Sequence, residues 1–250
     1  NIRPGYNDPR QGAETCTMVE MMFTWETLLK ITGETIAADR VEDIAFNSLP
    51  ASMTPDLRGL HYLTAANLIS CDRSGEHDFQ NSGTLLSYDP WSYRCCQHNV
   101  AFGWPYFSEH LWLATSDQGV AAVIYAPSIV ELKVGQKGQV VRLIEDTSYP
   151  FSGKITFTVF SEEEVEFPLY LRLPGWAESA FIWVNDEQPA EVNAPGKFAV
   201  LERHWKYGDQ ICLNLEESIR IKFWPGIGQA ISVARGPLWF SLEIKEIWKS

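Results

Sequence analysis

The chain has 250 residues, 45% hydrophobic and 21% charged, which fits one large or two ordinary globular domains and excludes a disordered chain. Lys and Arg number 20 against 32 Asp and Glu, and the resulting formal charge of −12 repels phosphate backbones and anionic lipid surfaces. No run of about 18 apolar residues occurs, so neither a transmembrane helix nor a membrane or nucleic-acid partner is expected.

The chain opens Asn1-Ile2-Arg3-Pro4-Gly5, without Met or an apolar leader, and reads as a fragment or a processed chain. A first helix is predicted from Thr15, as its cap, to Ile31. Val19, Met22, Phe23 and Leu29 form its apolar face and Gly33 its stop. A second helix is predicted from Glu34 to Leu49, ended by Pro50. Residues 50–90 are rich in turn signals such as Pro55-Asp56, Ser74-Gly75, Asn81-Ser82-Gly83 and Asp89-Pro90, and long loops of this kind tend to be functional. A third helix is predicted from Asn99, a cap, to Ala114, with Pro105 kinking or restarting it.

From Gly119 onward the pattern changes to short runs rich in β-branched residues. They cover 119–126, 129–134, 139–145, 154–160, 167–173, 181–184, 197–201 and 211–215. A further apolar pair of runs surrounds Gly236-Pro237. The predicted architecture is α+β and multidomain, with helices first and an antiparallel β-sandwich after them. The boundaries are 1–116 for the helical part, 117–225 for the sandwich and 226–250 for the start of a further β segment or second β domain. The 10 Trp residues suit a β core first, and stacking on sugar rings second.

Five Cys residues, an odd number with two adjacent, make a poor disulfide framework and point to reactive or metal-bound thiols. In Cys95-Cys96 the soft thiolates suit zinc, and both can reach one ion from the turn that Pro90, Ser92 and a helix start would form. Two buried structural cysteines are the other reading. Cys16 lies in the first turn of a helix, where the macrodipole favours a thiolate, and Glu14 just outside could turn to the same point. The alternative there is a helix-start carboxylate beside a core cysteine. Glu14, Cys16, Cys95 and Cys96 together supply one carboxylate and three sulfurs, a complete tetrahedral zinc set, in a spacing that is not a recognised zinc pattern. His98 is a further candidate for that site. His61, His77, His110 and His204 read as surface or satisfied core residues, and Glu162-Glu163-Glu164 as a solvated turn.

These residues carry a resemblance. Glu14-Thr15-Cys16 opening a helix, Cys95-Cys96 with Asn99, and Gly236-Pro237-Leu238 resemble glycoside hydrolase family 127, whose type activity is β-L-arabinofuranosidase, and the related family 146. Ala45-Phe46-Asn47-Ser48-Leu49, His61-Tyr62 and Tyr170-Leu171-Arg172-Leu173-Pro174-Gly175-Trp176 are similar too. The resemblance implies that 1–116 is the C-terminal part of an (α/α)6 barrel. It implies zinc as cofactor, held by Glu14, Cys16, Cys95 and Cys96, with Cys95 as nucleophile of a retaining glycosidase. It further implies Tyr62 as a sugar contact and an acid/base glutamate upstream of Asn1, so that residues 1–250 alone would be inactive; His98, from its place beside the cysteine pair, is a second candidate substrate contact. The partner would be an oligosaccharide or glycoside, a β-L-arabinofuranoside of plant-type glycans, and the setting a bacterial cytoplasm or periplasm. Gln97-His98 stand where the family has small residues or prolines. A non-catalytic carbohydrate-binding sandwich and a degenerate member with a structural zinc are the alternatives.

Overall fold

The structure, a computed structural model, describes residues 12–66, 86–87, 94–224 and 230–243. Strand β1 (Ala13–Glu14) leads directly into helix α1 (Thr15–Thr32). Met18, Val19, Met22 and Leu29, at intervals of one, three and seven that keep them on one helical face, are its buried apolar residues. Gly33 ends it at φ 68°, a left-handed conformation that glycine adopts without a Cβ penalty, and donates its N–H to the Leu29 carbonyl at 2.8 Å. Thr15 is not the cap expected. Glu14 precedes the helix, and the Thr15 hydroxyl donates to the His61 carbonyl at 2.6 Å instead.

Helix α2 (Thr35–Asp43) passes through a π turn, Ile44–Ser48, into α3 (Leu49–Ala51). The helix therefore runs past the stop expected at Pro50, which sits in the first turn of α3, where a missing N–H costs little. Short strands follow: β2 (Leu60–His61), β3 (Leu63–Thr64) and β4 (Leu86–Ser87), with β1 paired to β3 and β2 to β4. The turns expected at 74–75, 81–83 and 89–92 lie outside the described residues. Helix α4 (Arg94–Glu109) begins earlier than the predicted Asn99, so Cys95 and Cys96 lie within its first turns and Asn99 is an interior residue, not a cap. Pro105 is inside it. Trp112–Ala114, read from the sequence as helix, is strand β5, because it pairs with β6 (Val120–Ala122).

The predicted β region forms β7 (Ser128–Val134), β8 (Gln139–Thr147), β9 (Lys154–Ser161), β10 (Val165–Leu173) and β11 (Ala180–Val184). It continues through β12 (Ala190–Val192), β13 (Lys197–Trp205) and β14 (Gln210–Leu215). Last come β15 (Ile219–Phe223), β16 (Ile231–Arg235) and β17 (Leu238–Phe240), a three-stranded sheet. The six-stranded sheet, in order β12-β11-β14-β9-β8-β7, is antiparallel throughout. The four-stranded sheet, β13-β10-β6-β5, is not. The chain leaves β6, builds β7–β9 in the other sheet and returns as β10 parallel to β6, with Leu169 opposite Val120.

The two sheets close on one core, in which Phe167, Leu169, Leu171 and Trp205 of one face Leu143, Phe157 and Leu213 of the other. Trp205 is fully buried and donates its indole N–H to the Phe167 carbonyl at 2.9 Å, as the core reading of tryptophan requires. On the other side of the four-stranded sheet, Ala121 and Val123 join Val19, Ala38, Val41 and Phe107 in a second core, so the helices form a third layer.

A buried charge network ties that layer to the sandwich. Arg172 of β10, fully buried, pairs with both Asp39 and Glu42 of α2, and its Nε donates to the Val123 carbonyl. The Tyr149 hydroxyl donates to Glu42 at 2.7 Å, and the Gly175 N–H to Asp39 at 3.0 Å. Burial raises the Glu42 carboxyl above its ordinary range, against the pull of Arg172.

Candidate metal–thiolate site

Helices α1 and α4 lie side by side and run parallel. A Cβ on Gly103 would stand 2.9 Å from Leu49 Cδ2 and 3.4 Å from Val19 Cγ2, so the missing side chain makes room for Leu49 where α4 passes beside Val19 of α1. Further along, the Phe23 and Tyr106 rings meet at 4.8 Å. At the far end the buried Glu26 and His110 side chains are 3.3 Å apart, and Glu26 raises the His110 imidazole above its usual value. Parallel helices bring their N-termini to the same end, and there Cys16 meets Cys95 and Cys96. The positive ends of two macrodipoles thus gather where the thiols are, an environment that favours anionic sulfur.

Glu14 completes the group. One ligand atom from each of Glu14, Cys16, Cys95 and Cys96 lies within 4.8 Å of all the others, and this is the metal-capable cluster found among the described residues. Tetrahedral zinc with Zn–S near 2.3 Å requires donors about 3.8 Å apart. The Cys95–Cys96 sulfurs are 4.0 Å apart, and Cys16 Sγ lies 3.0 Å from Glu14 Oε2. Three sulfurs and one carboxylate at this spacing fit zinc in both chemistry and size. Successive residues of a helix point about 100° apart, so the adjacent cysteines, both inside α4, flank one point from the helix itself.

The residues around the ligands hold them in place. The β1–β3 pairing sets Glu14 opposite Leu63, and the Thr15 N–H bonds the Tyr62 carbonyl at 3.3 Å. Thr15 is fully buried, and with its hydroxyl on His61 the segment 61–63 grips the start of α1. The Tyr62 hydroxyl donates to Glu14 Oε1 at 2.8 Å, leaving Oε2 toward Cys16. Those two donors hold the Glu14 carboxyl below its ordinary range. Burial, followed by the contact with Glu14, pushes the Cys16 thiol up; burial does the same for Cys96 and for the Tyr62 phenol. A cation at this point would reverse that balance for the sulfurs.

The structure thus brings together four of the residues singled out in the sequence, with Tyr62 bonded to one of them. Cys96 is fully buried and Cys95 is exposed. His98 is also exposed, three positions after Cys95 on the same side of α4, and is not in the ligand group. The Tyr62–Glu14 bond and the Thr15 anchor were not legible in the sequence, because both depend on the β1–β3 pairing. A concavity of about 810 Å³ lies elsewhere, on the sandwich. The sulfur cluster is the stronger marker of chemistry, since that concavity contains no metal-ligating or nucleophilic group of comparable reactivity.

A helical layer carrying a three-cysteine, one-glutamate centre and backed by a β-sandwich defines a candidate metal–thiolate protein. Two family models identify it further. The catalytic domain of the GH127 β-L-arabinofuranosidases matches residues 1–109, and the GH127 middle domain matches residues 119–217. The chain belongs to the GH127 family. A non-reducing end β-L-arabinofuranosidase of Bifidobacterium longum subsp. longum is 24% identical over 252 residues, covering 95% of this chain and 36% of that protein. The chain therefore spans about a third of the length of that relative. A GH127 β-L-arabinofuranosidase from Geobacillus stearothermophilus T6 has the same fold, with a TM-score of 0.78 at 23% identity over 92% of this chain and 36% of that one. A structure described as a glycoside hydrolase gives a TM-score of 0.75 at 23% identity, over 91% and 37%.

Proposed function

We propose that this chain carries the nucleophile and metal centre of a retaining glycoside hydrolase that acts on β-L-arabinofuranosides of plant-type glycans. In this reading residues 1–116 are the C-terminal part of an (α/α)6 barrel, 117–225 the sandwich and 226–250 the start of a further β segment. The observation that carries the reading is the convergence of Glu14, Cys16, Cys95 and Cys96 at the N-termini of two parallel helices.

Glu14, Cys16, Cys95 and Cys96 would hold zinc, which when bound supplies the positive charge that keeps the thiols deprotonated at neutral pH. Cys96 is fixed in the interior, whereas Cys95 is exposed and accessible to a sugar. The Cys95 thiolate attacks the anomeric carbon as the aglycone departs with a proton from the acid/base glutamate, which the resemblance places before Asn1. Water, giving a proton to the same glutamate now acting as base, then displaces the Cys95 thiolate, and two inversions retain the configuration. Tyr62 holds Glu14, and in this reading its ring and the exposed His98 would contact the sugar. The test is turnover of p-nitrophenyl β-L-arabinofuranoside by the intact protein and its Cys95→Ser variant, with metal content measured in both. Turnover is expected to vanish in the variant. Full activity with the metal still bound would remove Cys95 from the mechanism.

A further inference from the structure

The concavity of about 810 Å³ shares no residue with the thiol cluster. Its floor is the outer face of the six-stranded sheet, where Val140 and Arg142 of β8 alternate with the core residues Val141 and Leu143. Arg142 stands directly opposite Phe160 of β9, its guanidinium carbon 5.9 Å from the ring centre. One wall is Tyr207, whose ring meets Phe160 at 5.2 Å and 82°, so the two rings form a corner. Glu162 and Glu163, read from the sequence as a solvated turn, line the other side with Gln139. Ser161, whose buried hydroxyl has no partner among the described residues, lines it too.

Tyr207 is 73% exposed, yet its backbone is held rigidly. It lies in the turn between β13 and β14. There Gly208 adopts φ 86° and donates to the Val159 carbonyl, and the Val159 N–H returns a bond to the Asp209 carbonyl. Asp209 also accepts from the Lys206 N–H and from the Asn185 amide. A large exposed ring on a pinned turn loses little freedom when it meets a ligand. The volume is that of a small-ligand site, and the lining joins aromatic faces to a few convergent polar groups.

We propose that this cleft is a second, non-catalytic binding site for a neutral saccharide chain. The inference rests on the glycosidase reading for the nature of the ligand. Sugar C–H faces would lie against Tyr207 and Phe160. The hydroxyls would accept from Arg142 and Gln139 and donate to Glu162 and Glu163. One guanidinium and two carboxylates in the same cleft offer donors and acceptors without a single sign of charge, which suits a polyol better than a polyanion. Such a site would retain the polymer while the thiolate centre cleaves it.

The test is affinity electrophoresis of the intact protein through gels containing soluble arabinan, arabinogalactan or xylan. Turnover of the small aryl β-L-arabinofuranoside is measured on the same samples. Retardation is expected on at least one arabinose-bearing polymer. Tyr207→Ala and Arg142→Ala should each weaken it roughly tenfold, with small-substrate turnover and melting temperature unchanged. Absence of retardation on all three polymers, or equal retardation of the parent and both variants, overturns the proposal. Because the small substrate reports only the thiolate centre, failure of turnover with retardation intact counts against the catalytic reading and not against this one.

Discussion

The Arg172 network offers the sharpest test of how the helical layer is held on the sandwich. Arg172→Met keeps the approximate length and apolar stem but removes the guanidinium that faces Asp39 and Glu42. Glu42 is 1% exposed, so its charge would remain in a nearly dry interior. Removing one partner of a buried ion pair costs about 3–5 kcal/mol. Tyr149 and the Gly175 N–H still donate to the stranded carboxylates, which places the loss toward the lower end. For a chain of this length, each kcal/mol moves the melting temperature by about 2–4 °C, so a fall of roughly 10 °C is expected in a circular-dichroism melt. Adding Asp39→Asn and Glu42→Gln removes the uncompensated charges and should restore most of the loss, since an uncharged replacement of a buried pair is often neutral. A single variant that loses less than about 1 kcal/mol, or a triple variant no better than the single, would refute the reasoning.

Two other substitutions test separate parts of the account. Tyr62→Phe removes the hydroxyl that fixes Glu14 Oε1, and outer-shell losses of this kind weaken metal binding about 10–100-fold. Chelator competition on the intact protein should show that weakening, and unchanged affinity would leave Tyr62 only a sugar contact. Glu145 is 2% exposed, accepts from the Ala126 N–H and the Ser128 hydroxyl, and burial raises its carboxyl well above its ordinary value of 4.5. A raised acid contributes stability that is full below its unfolded value and is lost as pH rises through the folded one. Melting temperature should therefore fall from pH 5 upward, and Glu145→Gln should flatten that slope; equal slopes in both proteins would contradict it.

Local signals were readable where one residue decides the outcome. Gly33 marked the end of α1, the change to short β-branched runs marked the sandwich, and Gly236-Pro237 marked the turn between β16 and β17. Where the structure departs from the sequence reading, distant partners are the commonest cause. Trp112–Ala114 has a helical neighbour and an ordinary composition, and only pairing with β6 makes it a strand. A polar residue after a cysteine pair resembles a cap and points to a helix start at Asn99, a local signal that misleads because the helix already includes both cysteines. Arg172 stands between Leu171 and Leu173, a position that signals an unusual environment. Its partners Asp39 and Glu42, three apart on α2, could not be matched to it without the packing of helix on sheet. At the site, residue types and the helix start at Cys16 were legible. The parallel arrangement of α1 and α4, which makes four residues into one cluster, was not.

Metal analysis of the intact protein, purified with zinc present and freed of loosely bound ions, tests the central claim most directly. The account predicts one zinc per chain, with Cys96→Ser losing it because a fully buried thiolate ligand is removed. Sub-stoichiometric zinc in the parent protein, or a full complement retained when Glu14, Cys16 and Cys96 are each replaced, would contradict it.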